Sequence, residues 1–232
     1  MKAVILAGGR GKRLAPITDT IPKAMIPING KPMLEIILGQ LKTIGVAEIV
    51  IVIHHLKNKI MDFFSDSFLG IKIHYVEQKE MKGTADAVLT AEQFIDGTFM
   101  CIACDSLFDT QLLKRIVKHT SDGVITVCSV EDPSRFGVIE TDGEKVTRIV
   151  EKSPHPPSNL ANFSIYLFPA TIFDACKKIS KSPRGEYEIT DAIQYLIDHG
   201  ARFEYEVGKD ILDIGTLEQF KQAQELARKW GL

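Results

Sequence analysis

A short apolar run that ends in a cluster of glycines opens the chain. Residues 3–7 read Ala-Val-Ile-Leu-Ala, which is too short for a helix and suits a strand buried on both faces. The glycines that follow allow positive φ angles and let backbone approach a ligand closely, and cations alternate with them. The segment therefore predicts a loop whose N–H groups wrap a polyphosphate. The glycines are Gly8, Gly9 and Gly11, and the cations are Arg10, Lys12 and Arg13.

Two better-known glycine loops do not fit this segment. The Walker A pattern requires Ser or Thr after Gly-Lys, but Arg13 follows Gly11 and Lys12 here. The dinucleotide fingerprint requires a third glycine three residues after Gly11, where this chain has Leu14. On composition alone, the alternative to phosphate binding is a tight strand-to-helix turn with solvated cations.

The glycine loop begins a longer pattern that runs from Gly8 to Pro32. It reads Gly-Gly-x-Gly-x-Arg-Leu-x-Pro-x-Thr-x-x-x-Pro-Lys-x-x-x-Pro-x-x-Gly-Lys-Pro. This pattern closely resembles the signature of the sugar-1-phosphate nucleotidyltransferases, and further similar segments recur nearly to the C-terminus. One departure is Lys12, which stands where many members of that family carry Thr.

Composition indicates a globular protein and excludes several classes of partner. The chain has 232 residues, 45% of them hydrophobic and 25% charged, which is enough for one sizeable core. A net charge of −2 provides no general cationic field for nucleic acid. We recognise no signal peptide and no apolar run of about 20 residues, so we expect a cytoplasmic protein with no membrane partner. The four cysteines lie in apolar segments, so buried thiols are expected rather than a redox pair.

Strand and helix patterns alternate over the first 130 residues, which predicts a parallel sheet with helices on both faces. After about Pro133 the pattern changes to short strands, and a small mixed-sheet insertion is expected. The predicted strands are Ala3–Ala7, Glu48–Ile53, Ile71–Val76, Thr98–Ala103, Val124–Val130, Phe136–Glu140, Val146–Val150, Asn162–Phe168 and Phe203–Val207. The predicted helices are Met33–Ile44, Lys57–Phe64, Thr84–Phe94, Asp109–His119, Pro169–Ile179, Ile189–His199 and Thr216–Trp230.

The predicted architecture is an α/β class fold, a Rossmann-like three-layer α/β/α arrangement with a mostly parallel central sheet and the mixed-sheet insertion. The resemblance implies a single nucleotidyltransferase domain over residues 1–232. Within it, residues 1–130 would mainly bind the nucleotide and residues 131–215 the sugar phosphate, while 216–232 would form a C-terminal helix. The sequence does not fix the oligomeric state, but Trp230 and that helix could contribute to the interface of a homo-oligomer.

The candidate nucleotide site lies at the ends of the first strands, where open α/β sheets bind ligands. Arg13 can bind two phosphate oxygens at once and Lys23 is a point charge, and both would stabilise the pyrophosphate that leaves. Gln78 follows a predicted strand, and its amide can read the imide edge of uracil or thymine. The resemblance also implies that Gly83 and Thr84 close over the base. The predicted nucleotide-binding residues are Leu6, Ala7, Gly8, Gly9, Gly11, Lys12, Arg13, Gln78, Gly83 and Thr84.

Two aspartates are the candidate metal ligands. Asp105 comes directly after a predicted strand, and Asp213 lies in the segment Asp-Ile-Gly-Thr. Together they could hold Mg²⁺, which prefers one or two carboxylates and substrate phosphates. An isolated Asp after a strand is more often a turn or a cap, but both positions resemble the metal-binding aspartates of the family. The predicted catalytic residues are Arg13, Lys23 and Asp105.

The resemblance also supplies a candidate sugar-phosphate site in the second half of the chain. Gly137 would leave space for the sugar, Glu151 would accept hydrogen bonds from its hydroxyls, and Lys152 would pair with its phosphate. Asn162 and Glu186, with Glu188 as the alternative to Glu186, lie in segments that resemble the sugar-binding segments of the family. The simpler alternative for Glu151 and Lys152 is an exposed ion pair at the end of a strand.

The resemblance implies synthesis of a nucleoside diphosphate sugar and pyrophosphate from a nucleoside triphosphate and a sugar 1-phosphate. UTP or dTTP is favoured, with glucose 1-phosphate or N-acetylglucosamine 1-phosphate. The alternatives are a guanylyl- or cytidylyltransferase acting on another sugar phosphate, and a non-catalytic nucleotide-sensing subunit on the same fold. A dinucleotide-dependent oxidoreductase is disfavoured because Leu14 replaces the required glycine.

Overall fold

The computed structural model describes residues 1–231, so Leu232, the last residue of the predicted C-terminal segment, lies outside the described residues. Its strands are short, and those in the centre of the main sheet are mostly buried, as expected from their many β-branched residues. In chain order they are β1 (Lys2–Leu6), β2 (Pro27–Ile28), β3 (Lys31–Pro32), β4 (Glu48–Ile53), β5 (Ser67–Phe68), β6 (Ile71–Glu77), β7 (Phe99–Ala103), β8 (Ser106–Leu107), β9 (Gly123–Ser129), β10 (Gly137–Asp142), β11 (Lys145–Glu151), β12 (Leu160–Phe168), β13 (Phe203–Val207) and β14 (Leu212–Asp213).

Ten of these strands form one continuous sheet in the order β10-β11-β13-β9-β12-β7-β1-β4-β6-β5. Strands β1, β4, β6, β7, β9 and β13 run in the same direction, whereas β12 lies antiparallel between β7 and β9. Strand β10 also pairs with β12, through Val138 and Ala161. The carboxyl ends of the parallel strands therefore meet at one edge, where the predicted site residues lie.

Helices cover both faces of this sheet. In chain order they are α1 (Ile17–Thr20), α2 (Met33–Thr43), α3 (Lys57–Phe64), α4 (Thr84–Leu89), α5 (Thr110–Ile116), α6 (Ile172–Lys178), α7 (Ile189–Asp198) and α8 (Leu217–Lys229). Among residues 1–231, none of these helices has the length and apolarity that a membrane span requires.

Alternation along β1 shows how the three layers are held together. Ala3 and Ile5 point into a core that α2, α3, α5 and α8 cover, whereas Val4 points into a second core under α4, α6 and α7. All three side chains are fully buried, as expected for a strand with helices on both faces. The predicted α/β/α architecture with its mostly parallel sheet is confirmed.

One of the predicted helices is interrupted in the structure. The expected helix over Thr84–Phe94 ends at Leu89, and a 3₁₀ turn follows at Glu92–Phe94. At the start of that helix, the Thr84 hydroxyl accepts a hydrogen bond from the N–H of Ile189. The expected mixed region is formed by β10, β11 and β12, which pair antiparallel and join the central sheet. The four cysteines are buried free thiols, as predicted.

Candidate active site

Three adjoining cavities open along the carboxyl edge of the sheet. The loop cavity, about 260 Å³, is lined by the glycine loop and by Lys23; the loop residues in its wall include Gly9, Gly11, Lys12 and Arg13. The Gln78 cavity, about 230 Å³, is lined by residues that include Leu6, Gly8, Gln78, Gly83 and Thr84. The large cavity, about 790 Å³, is lined by residues that include Gly137, Glu151, Lys152, Asn162 and Glu186. All predicted site residues line at least one of them, including Ala7, Asp105 and Asp213.

The glycine loop keeps its shape through local contacts. Gly11 has φ +62°, and a side chain there would bring Cβ within 2.9 Å of the Thr18 methyl group. The Thr18 hydroxyl donates a hydrogen bond to the carbonyl of Gly11 at 2.9 Å. Leu14, which ends the 3₁₀ turn beginning at Lys12, is buried in the core and anchors the loop. Glycine at position 11 is therefore required both by its conformation and by its packing.

Two short strands bring the predicted metal ligands together. Strands β8 and β14 pair antiparallel, with Asp213 opposite Ser106. The N–H of Ile214 donates to the carbonyl of Asp105 at 2.7 Å. Two carboxylates that are far apart in the sequence therefore lie side by side at the junction of the cavities.

Lys23 lies between these carboxylates. Its Nζ is 3.0 Å from Oδ2 of Asp105 and 3.9 Å from Oδ1 of Asp213. Oδ1 of Asp213 is buried and has no hydrogen-bond partner among the described residues. Burial, followed by the charge of Asp105, raises the pKa of Asp213 to about 6, although Lys23 and Arg13 act in the opposite direction.

This arrangement fits a divalent cation. A buried carboxylate oxygen without a partner, beside a second carboxylate, provides hard oxygen ligands in the number that Mg²⁺ takes from protein. Residues 1–231 contain no group of three or more His, Cys, Asp or Glu side chains placed to hold a metal. The remaining ligands of a cation at Asp105 and Asp213 would therefore be phosphate oxygens and water.

Arg13 is held against the segment that carries Asp213. A Cβ at Gly215 would lie 2.8 Å from Nη2 of Arg13 and 3.3 Å from Oε1 of Gln219. The glycine of the Asp-Ile-Gly-Thr segment therefore leaves room for the guanidinium beside the two carboxylates. Because Arg13 lines both the loop cavity and the large cavity, its charge reaches ligands in either one.

Gln78 presents less of its amide than predicted. Its side chain is buried, and Nε2 donates to the carbonyl of Gly83 at 3.1 Å and to Oδ2 of Asp86 at 2.8 Å. Both amide N–H groups are thus used within the protein, which leaves Oε1 to serve a ligand. The expectation that Gln78 offers a donor as well as an acceptor is not met, because Asp86 takes up the second N–H.

The segment around Gly83 is closed against the segment before α7. The N–H of Ala85 donates to the carbonyl of Tyr187 at 2.9 Å, and the N–H of Tyr187 donates to the carbonyl of Lys82 at 2.8 Å. Gly83 has φ +124°, and a Cβ there would lie 2.3 Å from the carbonyl oxygen of Tyr187. Only glycine therefore permits this contact between the Gln78 cavity and the large cavity.

Gly137 serves to bring site side chains together. A Cβ at this position would lie 2.9 Å from the Thr190 methyl group and 3.1 Å from Oε2 of Glu151. The Thr190 hydroxyl donates to that Glu151 oxygen at 3.1 Å.

Lys152 has φ +40°, and its Nζ is 3.3 Å from Oε1 of Glu151. A non-glycine residue with positive φ next to a cavity marks local strain of the kind that accumulates at functional sites.

Arg184 and Tyr166 were not assigned to this site from the sequence, whereas Glu188 was the alternative to Glu186. Arg184 pairs with Glu188 at 2.9 Å and with Glu151 at 3.3 Å, and so orients both carboxylates. Burial and the charge of Glu151 raise the pKa of Glu188. Tyr166 is also buried in the wall of the large cavity, and its hydroxyl accepts a hydrogen bond from Nδ2 of Asn162 at 2.6 Å. The signal that could have identified Tyr166 in the sequence is its even spacing from Asn162, which places both residues on the same face of a predicted strand.

Comparisons with known proteins agree over almost the whole chain. A family model described as nucleotidyl transferase matches residues 2–229. The UTP–glucose-1-phosphate uridylyltransferase AglF of Haloferax volcanii is 38% identical over 232 residues, covering 97% of this chain and 96% of AglF. The bifunctional protein GlmU of Methanocaldococcus jannaschii is 40% identical over 198 residues, covering 85% of this chain but 47% of GlmU. A solved UDP-glucose pyrophosphorylase in complex with UDP-glucose matches with a TM-score of 0.85 at 27% identity, over 98% of both chains.

Proposed function

The chain belongs to the nucleotidyl transferase family, and from that premise we propose that it makes a nucleoside diphosphate sugar from UTP or dTTP and a hexose 1-phosphate. The match to the family model and to AglF confirms the resemblance seen in the sequence and the predicted class of enzyme. The favoured sugar substrates are glucose 1-phosphate and N-acetylglucosamine 1-phosphate. The assignment of the nucleotide mainly to residues 1–130 and of the sugar phosphate to 131–215 belongs to this proposal, and a homo-oligomer stays a prediction.

The position of Asp105 carries the proposal. Its carboxylate lines all three cavities, so a group bound there meets the ligands of each. We assign the triphosphate to the loop cavity, the base to the Gln78 cavity and the sugar 1-phosphate to the large cavity. The reacting phosphorus then lies where the three meet, beside Asp105, Lys23 and Arg13.

The transfer depends on positioning and charge. An oxygen of the sugar phosphate attacks the α-phosphorus, the bond to the β-phosphate breaks, and pyrophosphate leaves. No general base is needed, because the attacking phosphate is already anionic. Arg13 and Lys23 stabilise the charge that accumulates on the pyrophosphate, and Lys152 holds the sugar phosphate in line. A divalent cation, for which we propose Mg²⁺ on Asp105 and Asp213, would neutralise the α-phosphate when bound.

The Gln78 cavity supports a preference among bases. The Oε1 atom of Gln78 is an acceptor, and uracil and thymine each carry an imide N–H at the edge of the ring. Cytosine has a bare acceptor nitrogen at the same ring position, so its approach would place two acceptors face to face. UTP and dTTP are therefore favoured over CTP. Guanine also carries a ring N–H, which keeps GTP as the alternative.

A pyrophosphate-release matrix tests the proposed function. UTP, dTTP, GTP, CTP and ATP are crossed with several sugar 1-phosphates in the presence of Mg²⁺. Release that requires both substrates, is strongest with UTP or dTTP, and is lost in Asp105→Asn is the expected result. Tight nucleotide binding without release from any pair would overturn the proposal in favour of a nucleotide-sensing protein.

A further inference from the structure

Strand β12 is interrupted inside the large cavity. Its pairing with β9 passes from Asn162 opposite Val127 to Tyr166 opposite Ile125, so four steps on β12 correspond to two on β9. The bulge contains Ser164, which has φ +53°. Bulges beside active sites redirect side chains, and positive φ in a residue other than glycine costs free energy. This conformation therefore has to be held by its surroundings.

The side chain of Asn162 holds the bulge in place. Its Oδ1 accepts the backbone N–H of Ser164 at 3.0 Å, and its Nδ2 donates to the hydroxyl of Tyr166 at 2.6 Å. Tyr166 is itself almost fully buried, so the arrangement is anchored in the core. Ser164 is half-buried and lines the large cavity together with Asn162 and Tyr166. The bulge thus presents a serine hydroxyl, backed by a fixed tyrosine hydroxyl, to whatever occupies the cavity.

The bulge lies at the catalytic end of the cavity. On its other side β12 pairs with β7, and this pairing ends at Ile165 opposite Ile102. Ser164 is therefore the next residue towards Asp105, which follows the end of β7. In the proposed function, the phosphate of a sugar 1-phosphate lies at this end. The ring atoms next to C1 are O5 and C2, and of the two only C2 carries an exocyclic substituent, so position 2 is the one that a side chain at this end can distinguish.

We propose that Ser164 reads the substituent at position 2 and selects hexose 1-phosphates with a free 2-hydroxyl over their 2-acetamido counterparts. This inference rests on the proposed function and specifies its sugar. A 2-hydroxyl can exchange hydrogen bonds with the Ser164 hydroxyl. An acetamido group requires more room at the same place and brings a methyl group against polar atoms, which leaves them unpaired.

Three variants separate the contributions of space, hydroxyl and backbone. Ser164→Gly removes both Cβ and hydroxyl and accepts a positive φ, so it is expected to fold. Ser164→Ala keeps the Cβ and removes only the hydroxyl. Ser65→Gly is the matched control, because Ser65 has φ +54° but lies after α3 and lines none of the three cavities. The kcat/KM values for glucose 1-phosphate and N-acetylglucosamine 1-phosphate are measured with UTP for each protein.

The wild-type protein and Ser65→Gly should prefer glucose 1-phosphate to the same degree, by about tenfold or more. In Ser164→Gly that ratio should fall by about tenfold, mainly through a gain on the acetamido sugar. Ser164→Ala should lose activity on glucose 1-phosphate without that gain. A wild-type preference for the acetamido sugar, or a ratio unchanged in Ser164→Gly, would overturn the inference. Absence of release from either sugar in the wild type would instead contradict the proposed function.

Discussion

The Nζ atom of Lys23 lies 3.0 Å from Oδ2 of Asp105, although the two residues are 82 positions apart in the sequence. The same ammonium is 3.9 Å from Oδ1 of Asp213. Its charge holds two neighbouring carboxylates together before substrates bind. The lysine side chain is mostly buried, with 12% of its surface exposed, so solvent screens this interaction less than at an open surface.

Replacement of this cation is expected to impair catalysis. In Lys23→Met the two carboxylates lose their shared partner and the departing pyrophosphate loses a positive charge. We expect kcat/KM to fall by about 100-fold or more, as for other groups that stabilise charge in a transition state. Lys57→Met is the matched control, since Lys57 is an exposed lysine paired with Glu77 away from the cavities. Equal activity of the two variants in a pyrophosphate-release assay would contradict the role of Lys23.

The Asp213 carboxylate is expected to lower the stability of the folded protein while it supports catalysis. Burial and Asp105 raise its pKa to about 6, so the stability cost of this carboxyl grows from the unfolded pKa of about 3.9 and is fully present above about pH 6. At pH 7.5 without divalent cation, Asp213→Asn should therefore raise Tm by a few degrees, since about 1 kcal/mol corresponds to about 2–4 °C in a chain of this size.

The same variant should lose activity in the presence of Mg²⁺, because Asn removes one of the two carboxylates proposed as ligands. Thermal unfolding and pyrophosphate release are measured on the same preparations. A variant that melts below the wild-type protein in the absence of metal would show that the carboxylate is stabilising, contrary to this account.

Some elements of the fold can be predicted from the sequence, and others cannot. Strands β4 and β13 and helix α3 have the bounds that the sequence predicts. Each of these segments shows one apolar or amphipathic pattern without interruption. The place of β12 was not predictable, since strand order depends on pairing between distant segments. The contact at the start of α4, where the Thr84 hydroxyl accepts the N–H of Ile189, likewise joins segments that are far apart in the sequence.

The candidate site was predictable in its residues but not in its geometry. The glycine pattern and the two aspartates are visible as local motifs. What joins Asp105 to Asp213 is the pairing of β8 with β14, two strands of two residues each that carry no sequence period of their own. The positive φ of Ser164 and the use of the Gln78 amide by Asp86 likewise depend on neighbours far away in the chain.

Gly83 should be intolerant of any side chain. Gly83→Ala would place Cβ 2.3 Å from the carbonyl oxygen of Tyr187, so the segment must move and Gln78 loses its partner carbonyl. We expect KM for the triphosphate to rise by at least about tenfold, because this segment lines the Gln78 cavity. Gly97→Ala is the matched control, since a Cβ at position 97 would meet nothing within 4 Å. Steady-state kinetics would refute the prediction if both variants kept the wild-type KM.

A pH-dependent contribution to stability is expected far from the cavities, at His119. Its ring nitrogens lie 2.7 Å from a Glu204 oxygen and 3.2 Å from a Glu206 oxygen. Burial opposes protonation, but these carboxylates outweigh it and raise the pKa of His119. The contribution to stability is therefore fully present below the unfolded pKa of about 6.5 and is lost as pH rises through the folded value.

Urea unfolding of the wild-type protein and His119→Gln tests this expectation. The difference in the free energy of unfolding should be about 1 kcal/mol larger at about pH 6 than at about pH 9. His155→Gln, at an exposed position in a loop, serves as the control and should show no such trend. A difference between wild type and His119→Gln that is independent of pH would rule out the charged form as its source.

Transfer of an isotope label tests whether an oxygen of the sugar phosphate attacks the α-phosphorus of the nucleotide. Glucose 1-phosphate with ¹⁸O in its phosphate is incubated with UTP, Mg²⁺ and the protein, and the products are examined by mass spectrometry. All the label is expected in the nucleoside diphosphate sugar, and the pyrophosphate should be unlabelled. Label in pyrophosphate or orthophosphate, or formation of UMP without the diphosphate sugar, would contradict it.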